Sequence, residues 1–158
     1  MYTHMIYFRY MNKQSGFTLI ELLIVIAIIG ALSSIVIGAL SSARSKAQDT
    51  KIKSNLGNMR SQAAIYYTDN GNYGTEVDND CESGMFIDPI FTLALDGILE
   101  SNGGGALTCY TSDSTGGAAS DTWAVSSSLR GGGTWCVDSD GKAEEADAQV
   151  ISDSAVCQ

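Results

Sequence analysis

Histidine is almost absent from this chain, and its scarcity argues against several classes of enzyme. The sequence has one histidine, His4, which lies before the first long apolar stretch. The remainder therefore cannot form a Ser/His or Cys/His relay, and it contains no metalloprotease motif. We expect a protein that is not an enzyme and needs no cofactor.

Basic residues are also few, with nine Lys and Arg against 18 Asp and Glu. All the acidic residues follow Gly16, whereas Arg9 and Lys13 precede it, so residues 17–158 have seven basic side chains and a net side-chain charge of −11. Phosphate binding needs clustered Lys and Arg, so we expect no nucleic-acid partner. The length of 158 residues predicts a single domain.

Charged and helix-breaking residues are nearly missing from residues 17–40. These 24 residues contain no Lys, Arg, Asp, Asn or Pro, and their one charged side chain is Glu21. At 1.5 Å per residue, such a helix is long enough to cross a hydrocarbon layer of about 30 Å. A carboxylate inside an apolar span is costly and normally has a partner, which makes Glu21 a candidate functional residue.

The sequence from Gly16 to Glu21, GFTLIE, resembles the processing signal of type IV pilins and type II secretion pseudopilins. The resemblance implies that a prepilin peptidase cleaves between Gly16 and Phe17 on the cytoplasmic side and methylates the new Phe17 amine. Residues 17–40 then become the core of a filament, in which Glu21 neutralises the Phe17 amine of another subunit. In the alternative interpretation, Glu21 reaches the lipid headgroups or pairs with its own amine.

The resemblance also implies an organisation and a location. Residues 1–16 are a basic leader that is cleaved, 17–40 a transmembrane half-helix, 41–70 an amphipathic half-helix and 71–158 a globular head. The subunit spans the cytoplasmic membrane once with its C-terminus outside, then joins an extracellular pilus or a periplasmic pseudopilus. Expected partners are other copies of the chain, the peptidase, an inner-membrane assembly platform and, before assembly, membrane lipid.

Several alternatives remain open at the N-terminus. Met11 is a second candidate start, which would leave a short basic leader. A secretory signal peptide with a cleavage site in residues 39–43, ALSSA, is a rival interpretation, although its apolar region would be unusually long. A third is a single-span membrane protein with an acidic ligand-binding head that is never cleaved.

Small residues recur every four positions at Gly30, Ser34 and Gly38. This spacing places them along one helix face, where they allow a close approach of another helix. General enrichment of small residues in membrane spans is the alternative explanation. We name these three residues as candidates for helix packing.

The helix is predicted to continue to residue 69 and to end at the Gly71 turn. Its second half has an apolar side with helical spacing, formed by Ala43, Ala47, Leu56, Met59, Ala63 and Tyr67. The same half has five basic residues, Arg44, Lys46, Lys51, Lys53 and Arg60. We expect this basic group either to be solvated, to contact anionic lipid or to meet the acidic heads of neighbouring subunits.

The head is predicted to add a short helix and three strands, which gives an α+β fold with a long N-terminal helix on a small antiparallel sheet. Asp88 and Pro89 have the order of an N-cap and a first helical residue, and the helix is expected to end before Gly97. Alternation and turn residues place the strands at 106–111, 122–129 and 134–137. Trp123, Val125 and Trp135 are expected to face the long helix.

Four cysteines in a chain that leaves the cytoplasm indicate two disulfides, and sequence alone allows three pairings. We favour Cys81 with Cys109, and Cys136 with Cys157 because many pilins close a C-terminal loop in this way.

The acidic segment from Asp138 to Asp147 offers oxygen ligands for calcium, but its spacing does not match an EF-hand loop. A β-turn followed by a solvated acidic loop explains the same residues, and we assign no metal site.

Overall fold

The structure is a computed structural model that describes residues 16–113, 119–146 and 155–157. It has a long helix α1 (Leu19–Asn70), a 3₁₀ helix (Gly84–Ile87), a helix α2 (Pro89–Asn102) and four strands, β1 (Leu107–Ser112), β2 (Thr122–Ser128), β3 (Thr134–Asp138) and β4 (Ala143–Ala146). The predicted α+β fold is confirmed. Residues 1–15 of the predicted leader and the turn glycines Gly116 and Gly117 lie outside the described residues.

The chain divides into two compact units between Ala39 and Leu40. The first contains the apolar part of α1, and the second contains the rest of α1 together with the head. The predicted C-terminal end of α1 is confirmed to within one residue. Gly71 adopts the left-handed conformation, with φ of 74°, and its N–H donates to the carbonyl of Tyr67 at 2.7 Å.

One stripe of α1 is completely buried, and it consists of Ile52, Leu56, Met59 and Ala63. The spacing of four, three and four residues places them on one helix face. The prediction is confirmed for the last three and missed Ile52.

The prediction was wrong for Ala43, Ala47 and Tyr67, which are exposed. The buried stripe begins only at Ile52, so the first two lie ahead of it. At the other end, Tyr66 and not Tyr67 packs against the core.

Helix α2 begins as predicted and ends six residues later than expected. The Asp88 carboxylate accepts a hydrogen bond from the backbone N–H of Ile90 at 3.0 Å, and Pro89 opens the helix. Gly97 lies inside the helix, where an added Cβ would be 3.0 Å from the Asn55 amide nitrogen of α1. The glycine therefore permits close packing of two helices, and Gly103, with φ of 71°, ends α2.

The four strands form an antiparallel sheet in the order β1-β2-β3-β4. The first three strands are confirmed with ends shifted by one residue. Val125 of β2 pairs with Cys109 of β1 and Val137 of β3, so all three share one face. That face joins the buried core with Trp123, as predicted, while Trp135 packs at its edge.

The acidic loop expected after Gly141 is instead strand β4. Glu144 pairs with Cys136 and Glu145 pairs with Trp135 across the β3–β4 ladder. Ala and Glu have low strand propensity, so pairing with β3 overrides the local preference. Charged side chains on an edge strand also discourage pairing with other chains.

Two disulfides join the head, and they link the pairs favoured from the sequence, Cys81 with Cys109 and Cys136 with Cys157. The second attaches the C-terminal end of the chain to β3. A buried carboxylate reinforces this attachment, because Asp138 accepts hydrogen bonds from the backbone N–H groups of Lys142 and Cys157, each at 2.9 Å. Asp138 is therefore a structural acceptor.

Replacing Asp138 with alanine should lower the free energy of unfolding by about 2 kcal/mol, because buried N–H groups lose their acceptor. Asp138→Asn is the matched control, since its carbonyl still accepts one bond and the loss should be smaller. Denaturant titration of the full chain in detergent, followed by tryptophan fluorescence, measures both. Equal stability of Asp138→Ala and the unaltered chain would contradict this role.

Substitution by alanine at two neighbouring positions of α1, Leu56 and Gly57, should change the stability of the protein in opposite directions. Leu56→Ala leaves a cavity in the core and should cost about 2–5 kcal/mol. Gly57 is exposed, and an added Cβ would meet no atom within 4 Å, so Gly57→Ala should stabilise the helix by about 0.5–1 kcal/mol. The same titration compares the two variants, and a destabilising Gly57→Ala would show that this position is constrained.

Candidate functional site

The apolar part of α1 exposes its side chains within its own compact unit. Leu19 is 87% exposed and Ile35 is 71% exposed, and the large apolar residues between them are also exposed. By length and composition, α1 includes a stretch able to cross a membrane. Exposing so much apolar surface to water is unfavourable, and a stretch of this kind suits anchoring in a membrane.

Gly16 and Phe17 lie just before α1, outside any helix or strand, and both are exposed. The side chain of Phe17 is 82% exposed. An accessible, non-helical segment is the form of backbone that a peptidase can bind. Cleavage between Gly16 and Phe17 stays a prediction.

Glu21 forms a capping box with Thr18 at the start of α1. Its Oε2 accepts hydrogen bonds from the Thr18 backbone N–H at 3.0 Å and from the Thr18 hydroxyl at 2.8 Å. The Thr18 hydroxyl oxygen accepts in turn from the backbone N–H of Glu21 at 3.3 Å. This reciprocal arrangement satisfies donors that a helix N-terminus otherwise leaves unpaired.

The capping box gives the Glu21 carboxylate a role within the single chain, in addition to the predicted role in assembly. Glu21 is held in the first turn of α1, near Phe17, and a negative charge there is favourable to the helix dipole. The T-x-x-E spacing of Thr18 and Glu21 is a readable signal for this motif.

The small residues Gly30, Ser34 and Gly38 all lie within α1 and are exposed. A Cβ added at either glycine would meet no atom within 4 Å. The Ser34 hydroxyl donates to the carbonyl of Ala31 at 2.8 Å, so it is satisfied inside its own helix. The face is open to a neighbouring helix.

Two of the five basic residues of α1 pair within their own chain. Lys51 lies 3.5 Å from Glu100, and Lys53 lies 3.4 Å from Glu145 and 4.1 Å above the Trp135 ring. Such exposed pairs contribute little to stability, and the cation–π contact of Lys53 adds to its pair. Within the described parts of the chain, neither Arg44 nor Lys46 forms a salt bridge.

Asp49 of α1 binds a distant loop, a role that was not predicted from the sequence. Its carboxylate accepts hydrogen bonds from the backbone N–H groups of Arg130 at 2.6 Å and Gly131 at 3.1 Å. These contacts fasten the β2–β3 turn to α1. A lone Asp within a helix carries no sequence signal for such a distant partner.

The calcium hypothesis receives no support from the geometry of its first ligand. The Asp138 carboxylate is buried and already binds two backbone N–H groups. Across residues 16–113, 119–146 and 155–157 there is no group of three or more potential metal-binding side chains. Asp147, a proposed ligand, lies outside the described residues.

Comparison with known proteins gives one family match and several relatives. The model of the prokaryotic N-terminal methylation motif matches residues 11–40. A type IV wide pilus major component of Thermus thermophilus is 44% identical over 63 residues, which cover 40% of this chain and 48% of that protein. Type II secretion system core protein G of Dickeya chrysanthemi is 40% identical over 64 residues, which cover 40% and 42%.

A type IV major alpha-pilin of Moraxella bovis is 54% identical over 46 residues, 29% of each chain. The matches to these relatives thus span less than half of each protein's length. No solved structure is significantly similar to the chain. The relatives are named as pilus or secretion-system components. The chain therefore carries the prokaryotic N-terminal methylation motif and has type IV pilins and type II secretion core protein G among its homologues.

Proposed function

We propose that this chain is a pilin-like subunit that polymerises through its N-terminal helix into a type IV pilus-like filament. The observation that carries the proposal is the exposed apolar segment of residues 17–40, with Glu21 as its one charge and a methylation motif across it. A prepilin peptidase cleaves between Gly16 and Phe17 and methylates the new amine. The activity is assembly, without catalysis.

Burial of apolar surface drives this assembly. Before polymerisation, lipid covers residues 17–40, and in the filament the same segments of other copies replace it. The open face of Gly30, Ser34 and Gly38 supports the exchange, because small side chains let helices approach closely.

Charge neutralisation orders the packing. Cleavage leaves a cationic amine on Phe17, and in the filament this amine pairs with Glu21 of another copy. The capping box keeps the Glu21 carboxylate in the first turn of α1. The Phe17 amine of the neighbouring copy must therefore lie at the level of this turn along the helix axis. An unpaired charge buried among apolar helices is costly, so packing arrangements that separate the amine from the carboxylate along the helix axis are disfavoured.

The remaining proposed partners are those that the subunit meets between membrane insertion and assembly. The subunit first lies in the cytoplasmic membrane with its head outside, where two disulfides are stable. There it meets the peptidase and an inner-membrane assembly platform. The final location is an extracellular pilus.

A second candidate function is that of a pseudopilin in a type II secretion system, where the filament stays periplasmic. The similarity to core protein G favours it, because its identity and coverage are close to those of the Thermus pilus component. The two candidate functions have the same processing and assembly steps, and they differ in the location of the filament, which is extracellular for a pilus and periplasmic for a pseudopilus.

The mass of the N-terminal peptide, measured on material sheared from intact cells, tests the proposal. We expect a peptide that begins at methylated Phe17. The same peptide found only in membranes would favour the pseudopilin. An intact leader, or an N-terminus near Ala43, would contradict both the pilin and the pseudopilin function. The first result would favour an uncleaved membrane-tethered binding protein, and the second a secreted one.

The Glu21→Gln variant should separate the charge of this residue from its capping role. Glutamine keeps an acceptor for Thr18, so α1 and membrane insertion should persist, while filaments should fall by at least about tenfold because the Phe17 amine lacks a counter-charge. Quantitative immunoblots of sheared and membrane fractions measure both.

Thr18→Ala is the matched control for this experiment. It removes the hydroxyl of the capping box but keeps the Glu21 carboxylate, so it should reduce filaments less than Glu21→Gln does. The reverse order would show that Glu21 acts mainly as a helix cap.

A further inference from the structure

A groove lies between the last turns of α1 and the start of α2, and part of its apolar lining is uncovered. Ile65 and Ile90 line it and are each 54% exposed. Tyr66 and Phe91 form its deeper part, where their rings meet edge to face at 6.2 Å. Its volume is about 120 Å³.

The groove is acidic as well as apolar. Asp69 and Asp88 line it, and its lining contains no Lys or Arg. Asp88 caps α2, whereas Asp69 lies in the last turn of α1, which has no basic residue. Helix carbonyls already make that end negative, so a carboxylate there is unfavourable in the isolated subunit. Neither acid belongs to a salt bridge within the described residues.

The same chain has an exposed cation that fits this lining. Among the basic residues of α1, Arg44 and Lys46 are the exposed ones that lack an ionic partner in the described parts of the chain. On a helix they point about 200° apart, so one groove can receive only one of them. Lys46 is three residues before Asp49, whereas the positions three and four residues from Arg44 are all uncharged. Arg44 is thus the less compensated charge.

We propose that the groove receives the Arg44 side chain of a second copy of this chain. Its aliphatic stem would pack on Ile65 and Ile90, while the guanidinium would reach the carboxylates of Asp69 and Asp88. A planar guanidinium suits carboxylates better than an ammonium does. The inference rests on the proposed filament, and it names one lateral contact that joins a head to the helix of a neighbour.

The test compares charge-removing variants with matched controls in filaments sheared from cells that express the full chain. Arg44→Gln and Asp69→Asn should each lower the filament yield by about fivefold and lower the salt concentration at which filaments fall apart. Lys46→Gln and Asp96→Asn make the same changes in charge outside the contact, and they should leave the yield unchanged.

The unfolding temperature of the subunit distinguishes an effect of Asp69→Asn on folding from an effect on docking. Asp69→Asn removes an unfavourable charge at the end of α1, so its unfolding temperature in detergent should not fall even though filaments decrease. A lower unfolding temperature together with fewer filaments would assign Asp69 a purely structural role and overturn the proposal.

Charge exchange tests the pairing directly. Arg44→Asp and Asp69→Arg should each reduce filaments, and the two changes in one chain should restore them to within about twofold of the unaltered chain. Failure to restore filaments overturns the pairing, as does an equal effect of the control variants. Absence of filaments from the unaltered chain would overturn the proposed function itself, whereas normal filaments from Arg44→Gln would overturn only this contact.

Discussion

The constraint on which this structure depends is that α1 has an apolar first part and an amphipathic second part, and that one stripe of the second part is buried in the core of the head. Ile52, Leu56, Met59 and Ala63 are buried under α2 and the sheet, and this stripe is the centre of the core. The large apolar residues of 17–40 are instead exposed within their own compact unit. The buried stripe stabilises the folded head, and the exposed apolar residues supply the driving force of the proposed assembly.

Polar side chains attach the small head to the helix and fix its loops. Asp49 holds the β2–β3 turn, and Asp138 holds the C-terminal end. Asn102, which is buried, donates to the Ser127 hydroxyl at 3.1 Å and accepts from the backbone N–H groups of two following glycines. A four-stranded sheet on one face of a helix buries limited apolar area, so these contacts and two disulfides supply part of its order.

The charge distribution separates contacts within a chain from those left for other molecules. Lys51 and Lys53 are used by the head of their own chain, whereas Arg44 remains exposed ahead of the buried stripe. Glu21 has two roles. Its carboxylate caps α1 in the single chain, and the same carboxylate is proposed to pair with the amine of a neighbouring copy.

Local signals in the sequence determined the long helix, its glycine end, the start of α2 and three strands, because periodicity, capping residues and turns act over a few positions. The apolar span, the position of Glu21 and the processing signal are also local. Only the tertiary structure decided that Gly97 lies inside a helix, that an Ala-Glu segment forms β4, and that Asp49 and Asp138 bind distant backbone groups. The physical reason is that each of these depends on a partner far away in sequence, whose proximity exists only after the head has folded around α1.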